Sequence, residues 1–365
     1  MLIIGFLFVG VSSWGGAAAA AQGLDIVGQV VDAEDGRAVA GAAVSLLEPL
    51  SSSDKAELYD DGEIPRVIVD RTAADDGGEY RLDAPEIGVY VLAIEAPGYS
   101  PVFRHLSPWI EGTALAPARL QPAAERTITV VEADGQPVPG VAAELFSERK
   151  RVPRHKRMRH NGWWPLAVHA VGDDDGRMQL PFAPADVATH RLRIAAPGYA
   201  PVELEPEGAG ALRIQLEAGT PRDVRVLDAA GRAVDNVLVR SGALPLGRSD
   251  EDGRLTVRVG DRSLTIAAEI DDDGGRERGW LSISATEPAT GDGTTAQEPP
   301  AEPEDPEELI LALETIEVID GAVVEAEGRR PIPGALVVAT GAGKGFVIAD
   351  QAGRYTVDAG TRSLR

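Results

Sequence analysis

The densest run of chemistry-bearing side chains in this sequence lies between Glu148 and Trp164. Arg149, Lys150, Arg151, Arg154, Lys156, Arg157 and Arg159 crowd together there, in a chain whose net charge is −23. His155 and His160 sit among them, and Trp163 and Trp164 close the run. Guanidinium forks suit acid groups, and indole faces suit sugars or acyl chains. Arg151, Arg154, Lys156, Arg157, Arg159, Trp163 and Trp164 are therefore the candidate ligand-binding residues, for a polyanion or an envelope polysaccharide. The plainer alternative is a solvated loop that pairs with the acidic surface of a neighbouring domain.

Other constellations resolve into turns. Asp173-Asp174-Asp175-Gly176 and Asp271-Asp272-Asp273-Gly274 lack the alternating carboxylates of a calcium loop. The five histidines (His105, His155, His160, His169 and His190) form neither H-x-x-x-H nor H-E-x-x-H, so no metal set is expected. Gly341-Ala342-Gly343-Lys344-Gly345 follows an apolar strand like a phosphate loop. Val338 stands where the first Gly must be, and Gly345 replaces the Ser or Thr, which leaves a hairpin loop. The chain has no Cys, which excludes disulfides, thiol catalysis, Cys-zinc sites and a lipobox anchor. There is no G-x-S-x-G elbow. The expectation is a protein without enzyme activity or cofactor.

The elements that must carry these residues are repeated. Ala96-Pro97-Gly98-Tyr99-Ser100-Pro101-Val102 and Ala196-Pro197-Gly198-Tyr199-Ala200-Pro201-Val202 differ at one position, and Pro-Gly marks a type II turn. An Asp-x-x-Gly element, followed by a charged and then a large apolar residue, recurs at Asp75/Gly78/Tyr80, Asp173/Gly176/Met178, Asp250/Gly253/Leu255 and Asp350/Gly353/Tyr355. Asp at the first and Gly at the fourth position describe a type I turn. An acidic-Gly turn recurs at Gly36/Val39/Gly41, Gly135/Val138/Gly140, Gly231/Val234/Asn236 and Gly328/Ile332/Gly334. Before it, Ile128 and Val130, then Val224 and Val226, alternate as on a strand with one buried face. The order is strand, acidic-Gly turn, strand, Asp-x-x-Gly turn, strand, short gap, strand. No stretch carries a helical period.

Gly28-Gln29-Val30, Val39-Ala40-Gly41-Ala42-Ala43-Val44 and Asp75 through Tyr80 resemble the carboxypeptidase regulatory-like (transthyretin-like, carbohydrate-binding-like) family. Gly321-Ala322-Val323 and Ile332-Pro333-Gly334-Ala335-Leu336-Val337 repeat the resemblance near the end, and it is weaker in the third copy, which lacks Ala-Pro-Gly-Tyr. The resemblance implies an all-β protein of tandem seven-stranded, immunoglobulin-like β-sandwiches. It also implies secreted or envelope proteins, often attached to peptidases or outer-membrane receptors, and a fold shared with carbohydrate-binding modules. The related collagen-adhesin B-type domains place an isopeptide-forming Lys on an early strand. Lys55, Lys150, Lys156 and Lys344 lie on no first strand, so no cross-link is expected.

Residues 1–21 read as a signal peptide, with an apolar run from Leu2 to Val11 and small residues from Ala17 to Ala21. An uncleaved anchor is the alternative, and no later stretch reaches membrane-spanning length. Four copies are expected, at 24–121, 125–218 (with the basic insertion 148–164), 221–314 (with a Thr-, Glu-, Pro- and Gly-rich disordered loop at 285–308) and 315–365. The last is expected to be a partial copy, as the front part of a longer protein. Very short joints point to linear stacking. The acidity disfavours nucleic acid and anionic bilayers. These features point to a secreted or envelope protein of a bacterium, with a polysaccharide or an envelope protein as partner.

Overall fold

The structure is a computed structural model and describes residues 24–85, 88–106, 113–149, 167–185, 188–208, 210–272, 275–285, 308–326, 328–339 and 345–360. The first unit comprises β1 (Leu24–Asp32), β2 (Ala43–Leu47), α1 (Ser52–Asp60), β3 (Ile68–Ala73), β4 (Glu79–Ala84), β5 (Tyr90–Glu95), β6 (Tyr99–Ser100), β7 (Val102–Leu106) and β8 (Ala118–Pro122). The second has β9 (Ala124–Val131), β10 (Ala142–Arg149), β11 (Val168–Val171), β12 (Arg177–Phe182), β13 (Ala188–Ala195), β14 (Val202–Leu204) and β15 (Leu212–Gln215). The third has β16 (Thr220–Leu227), β17 (Leu238–Ser241), β18 (Leu244–Arg248), β19 (Arg254–Val259), β20 (Leu264–Asp272), β21 (Gly275–Ile283), β22 (Leu309–Ala312) and β23 (Glu314–Thr315). Then come β24 (Glu317–Ala322), β25 (Leu336–Ala339), β26 (Gly345–Ile348) and β27 (Arg354–Gly360).

The protein is all-β, built as tandem sandwiches. Sheet β4-β1-β8-β6 faces sheet β3-β2-β5-β7, and the pattern recurs as β12-β9-β15 with β11-β10-β13-β14, then β19-β16-β22 with β18-β17-β20-β21-β23. In each unit the opening strand pairs antiparallel with the fourth and parallel with a late strand: β1 with β4 and β8, β9 with β12 and β15, β16 with β19 and β22. Pairs β24-β27 and β25-β26 repeat the first half of this scheme.

The turns explain the repeated residues. The Asp75 Oδ1 accepts from the backbone N–H groups of Gly77 and Glu79, and Asp173, Asp250 and Asp350 do the same in their turns. Gly78, at φ 74°, lies so close to the opening strand that a Cβ would stand 2.4 Å from the Val30 carbonyl oxygen. Only Gly fits that approach and that φ. A second pairing links Gly28 to Tyr80 across β1 and β4, where a Cβ on Gly28 would meet the phenol at 2.4 Å. Gly321 and Tyr355 repeat it at 2.5 Å. The second and third units fill the same site with Ile128–Met178 and Val224–Leu255. The corner tyrosines tie one motif to another: Tyr99 donates to Asp32 at 2.9 Å and Tyr199 to Glu132 at 2.6 Å, each in the acidic-Gly turn.

Three expectations need correction. A helix exists: α1 buries only Ala56 and Tyr59, so it shows no apolar period, and its start is set by a capping box between Ser51 and Asp54. Two strands, not one, separate the acidic-Gly turn from the Asp-x-x-Gly turn, because β3, β11 and β18 pair with β2, β10 and β17 as separate short strands. The units are not stacked in a line, since α1 of the first unit reaches the third: the Ser53 hydroxyl donates to Glu269 at 2.9 Å.

Candidate functional site: a junction of sheet faces

Strand β5 is buried from Tyr90 through Ile94, on both faces. Tyr90, Leu92 and Ile94 belong to the first unit's core, while Val91, Ala93, Leu47 and Phe103 join the core cluster of the second unit. The outer face of β3-β2-β5-β7 is thus covered by the second unit. The outer face of β11-β10-β13-β14 is covered likewise, with Ala142 and Ala195 joining the third unit's cluster.

At the centre of that second face lies a cross-strand row: His169, Glu144, Arg193 and Glu203. Glu144 is 4 % exposed and accepts from the Arg193 guanidinium at 3.1 Å. Arg193 also donates to the Ser241 carbonyl of the third unit at 3.2 Å. Burial raises the Glu144 carboxyl above its usual range, against the pull of Arg193 and Lys55. Burial likewise lowers Lys55, and the charge of Glu144 opposes it.

Helix α1 seals this row. The Tyr59 hydroxyl donates to the Ala143 carbonyl at 2.8 Å and lies 2.7 Å from His169 Nδ1. A carbonyl only accepts, so the phenol proton is committed to it, and Nδ1–H of the imidazole donates to the phenol oxygen. Burial, aided by the positive charges of Lys55 and Arg66, lowers the His169 pKa to about 3, which keeps the ring neutral. Burial pushes the Tyr59 hydroxyl up. With Tyr59 2 % exposed, this cluster is closed to a substrate and works as a fastening.

The other side of α1 meets the third unit. Glu57 and Asp60 both pair with Arg248, the latter at 2.9 Å. Ser53 lies between Arg240, at 3.3 Å, and Glu269. Burial alone would raise the Glu269 carboxyl, but the bidentate hydrogen bonds from Arg278, at 3.0 and 3.1 Å, with Ser53 and Arg276, hold it below the usual range.

Of these junction residues, the sequence had offered only His169, as a metal ligand, and Lys55, as a cross-linking lysine, and both roles were set aside. The signal that could have found them is the continuous apolar run of β5, which marks a strand buried on both faces rather than one. Arg151, Arg154, Lys156, Arg157, Arg159, Trp163 and Trp164 lie outside the described residues, as do the signal-like segment 1–21, most of the 285–308 loop and residues 340–344. The basic segment leaves β10 and returns at β11, the same connection that carries α1 in the first unit. Among the described residues, Asp173 is engaged in its turn, and no group of three or more His, Asp or Glu could hold a metal. No helix of the described residues is long and apolar enough to cross a membrane.

Residues 25–108 match the family model "Carboxypeptidase regulatory-like domain", a span that takes in the first unit from β1 to β7 but not β8. No curated protein matches the chain. Solved structures with some likeness include the shaft pilin SpaA from Lactobacillus rhamnosus GG, 11 % identical, covering 53 % of this chain and 97 % of that one with a TM-score of 0.21. The Streptococcal ancillary pilin is 9 % identical, with coverage of 80 % and 99 % and a TM-score of 0.20. BcpA, the major pilin subunit of Bacillus cereus, is 12 % identical, with coverage of 73 % and 96 % and a TM-score of 0.19. TM-scores this low carry no inference, and the sandwich fold rests on the strand pairings and on the family match of the first unit.

Proposed function

We propose that the chain is a non-catalytic, extracytoplasmic structural protein: a rigid, bent array of sandwiches that spaces or presents a partner at the cell envelope. The carrying observation is α1, which fastens the first unit to the second through Tyr59 and to the third through Ser53, Glu57 and Asp60. The regulatory-like match of the first unit and the signal-like segment 1–21 support the reading. Division into repeats at 24–121, 125–218, 221–314 and 315–365 belongs to it. Small-angle scattering tests it: the combined Tyr59→Ala and Arg248→Ala variant should show a larger radius of gyration than wild type. Equal radii would remove the claim of a rigid bend.

A second reading concerns Arg151, Arg154, Lys156, Arg157, Arg159, Trp163 and Trp164. Their connection is the counterpart of the one in which α1 docks, which favours a docking role, for an acidic polysaccharide. Binding of acidic polysaccharides should fall when Trp163 and Trp164 are both replaced by Ala. An unchanged affinity would exclude the tryptophans.

A further inference from the structure

Charged and titratable groups from two units gather around His169 of β11. Helix α1 brings Tyr59 and Lys55. The segment after it brings Arg66, which is held to the first unit by bidentate hydrogen bonds to Glu95, at 2.7 and 2.8 Å. From the second unit come Glu144 of β10 and, behind it, Arg193 of β13, itself paired with Glu203 of β14. His105 of β7 is exposed at the rim, within reach of the charge of Lys55. The His169 side chain is only 9 % exposed, and its ring stands edge-on to the Tyr59 ring, with centroids 5.8 Å apart.

This geometry accepts the imidazole and rejects the imidazolium. The phenol gives its one proton to the Ala143 carbonyl, so its oxygen can only accept, and Nδ1–H of a neutral ring satisfies it. A second proton would go to Nε2 and set a positive charge in a covered site beside Lys55 and Arg66. Glu144, 3.9 Å from Nδ1, offers little relief, because Arg193 already engages it at 3.1 Å. The lowered pKa of the ring agrees with this, with burial as its largest cause. Once α1 lifts, water reaches the ring and its ordinary value of 6.5 returns. The grip of α1 on the third unit is of another kind, an Arg248 pair with Glu57 and Asp60 and a Ser53 hydroxyl on Glu269, and a proton on His169 leaves it untouched.

We propose that the Tyr59–His169 contact is an acid-released latch: His169 takes up a proton only when Tyr59 leaves, which frees α1 from the second unit while each sandwich stays folded. The proposal rests on α1 being the fastening of the first unit to the second. As pH falls below 6.5 the uncovered ring binds a proton that the covered ring refuses, so docking weakens, by at most about tenfold per pH unit, until about pH 3. Glu144 works against the latch. Burial raises its carboxyl, so the covered form binds that proton more tightly, and protonating Glu144 favours docking.

Hydrogen exchange of the α1 amides in the full chain, corrected for the intrinsic rate at each pH, tests the latch. Between about pH 7 and about pH 5 wild type should lose up to about 25-fold of its α1 protection, while the core strands keep theirs. His169→Gln retains an N–H for the phenol but takes no proton, so its α1 should stay protected in acid. His169→Asn gives the same reading should the Gln variant fail to fold. Wild-type protection that holds constant, or an equal loss in the neutral variants, overturns the latch and leaves the fastening standing. Exchange of α1 that rises only together with the core strands also overturns it, since the helix then does not release by itself. An α1 unprotected already at neutral pH overturns the fastening and the latch together.

Discussion

The second and third strands of the first and third units are joined in opposite ways. Residues 48–67 of the first unit make an excursion that forms α1, whereas β17 and β18 are linked by Gly242 and Ala243 alone. The excursion grips: α1 reaches both neighbours. The tight turn is gripped: Gly242, at φ 63°, sits where a Cβ would lie 2.6 Å from the Arg193 guanidinium, so the second unit closes over it. Identical sandwich geometry thus serves as clamp or as anvil according to the length of one connection.

The largest break in this comparison is Tyr59→Ala. It deletes a buried aromatic side chain and leaves the His169–Ala143 pair without its bridge, a loss of about 3–5 kcal/mol for truncations of this type. Denaturant unfolding should show the first unit separating from the rest, while Gly242→Ala disturbs only the contact between second and third units. A single unchanged transition in Tyr59→Ala would refute the clamp.

Next comes the cross-strand site. Gly28→Val should cost about 1–3 kcal/mol by overpacking against Tyr80. Adding Tyr80→Leu, which installs the third unit's Val–Leu pair, should recover most of it in the same unfolding measurement. Absence of recovery would mean the two units fill this site by different rules.

The His169 imidazole gives a pH-dependent contrast. Its folded pKa, about 3, lies below the usual 6.5. Between those values the unfolded chain binds a proton that the folded chain refuses, so stability falls as pH drops from 6.5 to about 3. The slope is at most about 1.4 kcal/mol per pH unit. His169→Gln should flatten this acid limb, and an unaltered limb would assign it to other groups.

Smallest is Arg248→Ala. Its partners Glu57 and Asp60 are partly exposed, so its removal should cost under about 1 kcal/mol, and moderate salt should mimic it in the wild type. A cost as large as that of Tyr59→Ala would show that the third unit, not the second, holds the helix.

Much of the fold was legible because its turns need particular residues. Asp75 and Gly78 recur since one supplies the carboxylate that caps the turn and the other the only backbone able to touch Val30. Tyr99 recurs because its hydroxyl closes on Asp32. The junction was not legible. Glu144 looks like any solvent-facing strand residue until Arg193 and Lys55 are brought over it from elsewhere. Helix α1 escaped because its stability comes from a cap and one docked tyrosine rather than a periodic face.

The parallel ladder between the opening and closing strands of each unit has a mechanical consequence. Val30 beside Ala118, Ile128 beside Leu212 and Val224 beside Leu309 place a unit's entry and exit strands side by side, pointing the same way. Tension along the chain therefore pulls these two strands past each other and loads their hydrogen bonds together, rather than peeling them one at a time. An array of such units resists stretching by shear, so extension should come in abrupt steps, one unit at a time.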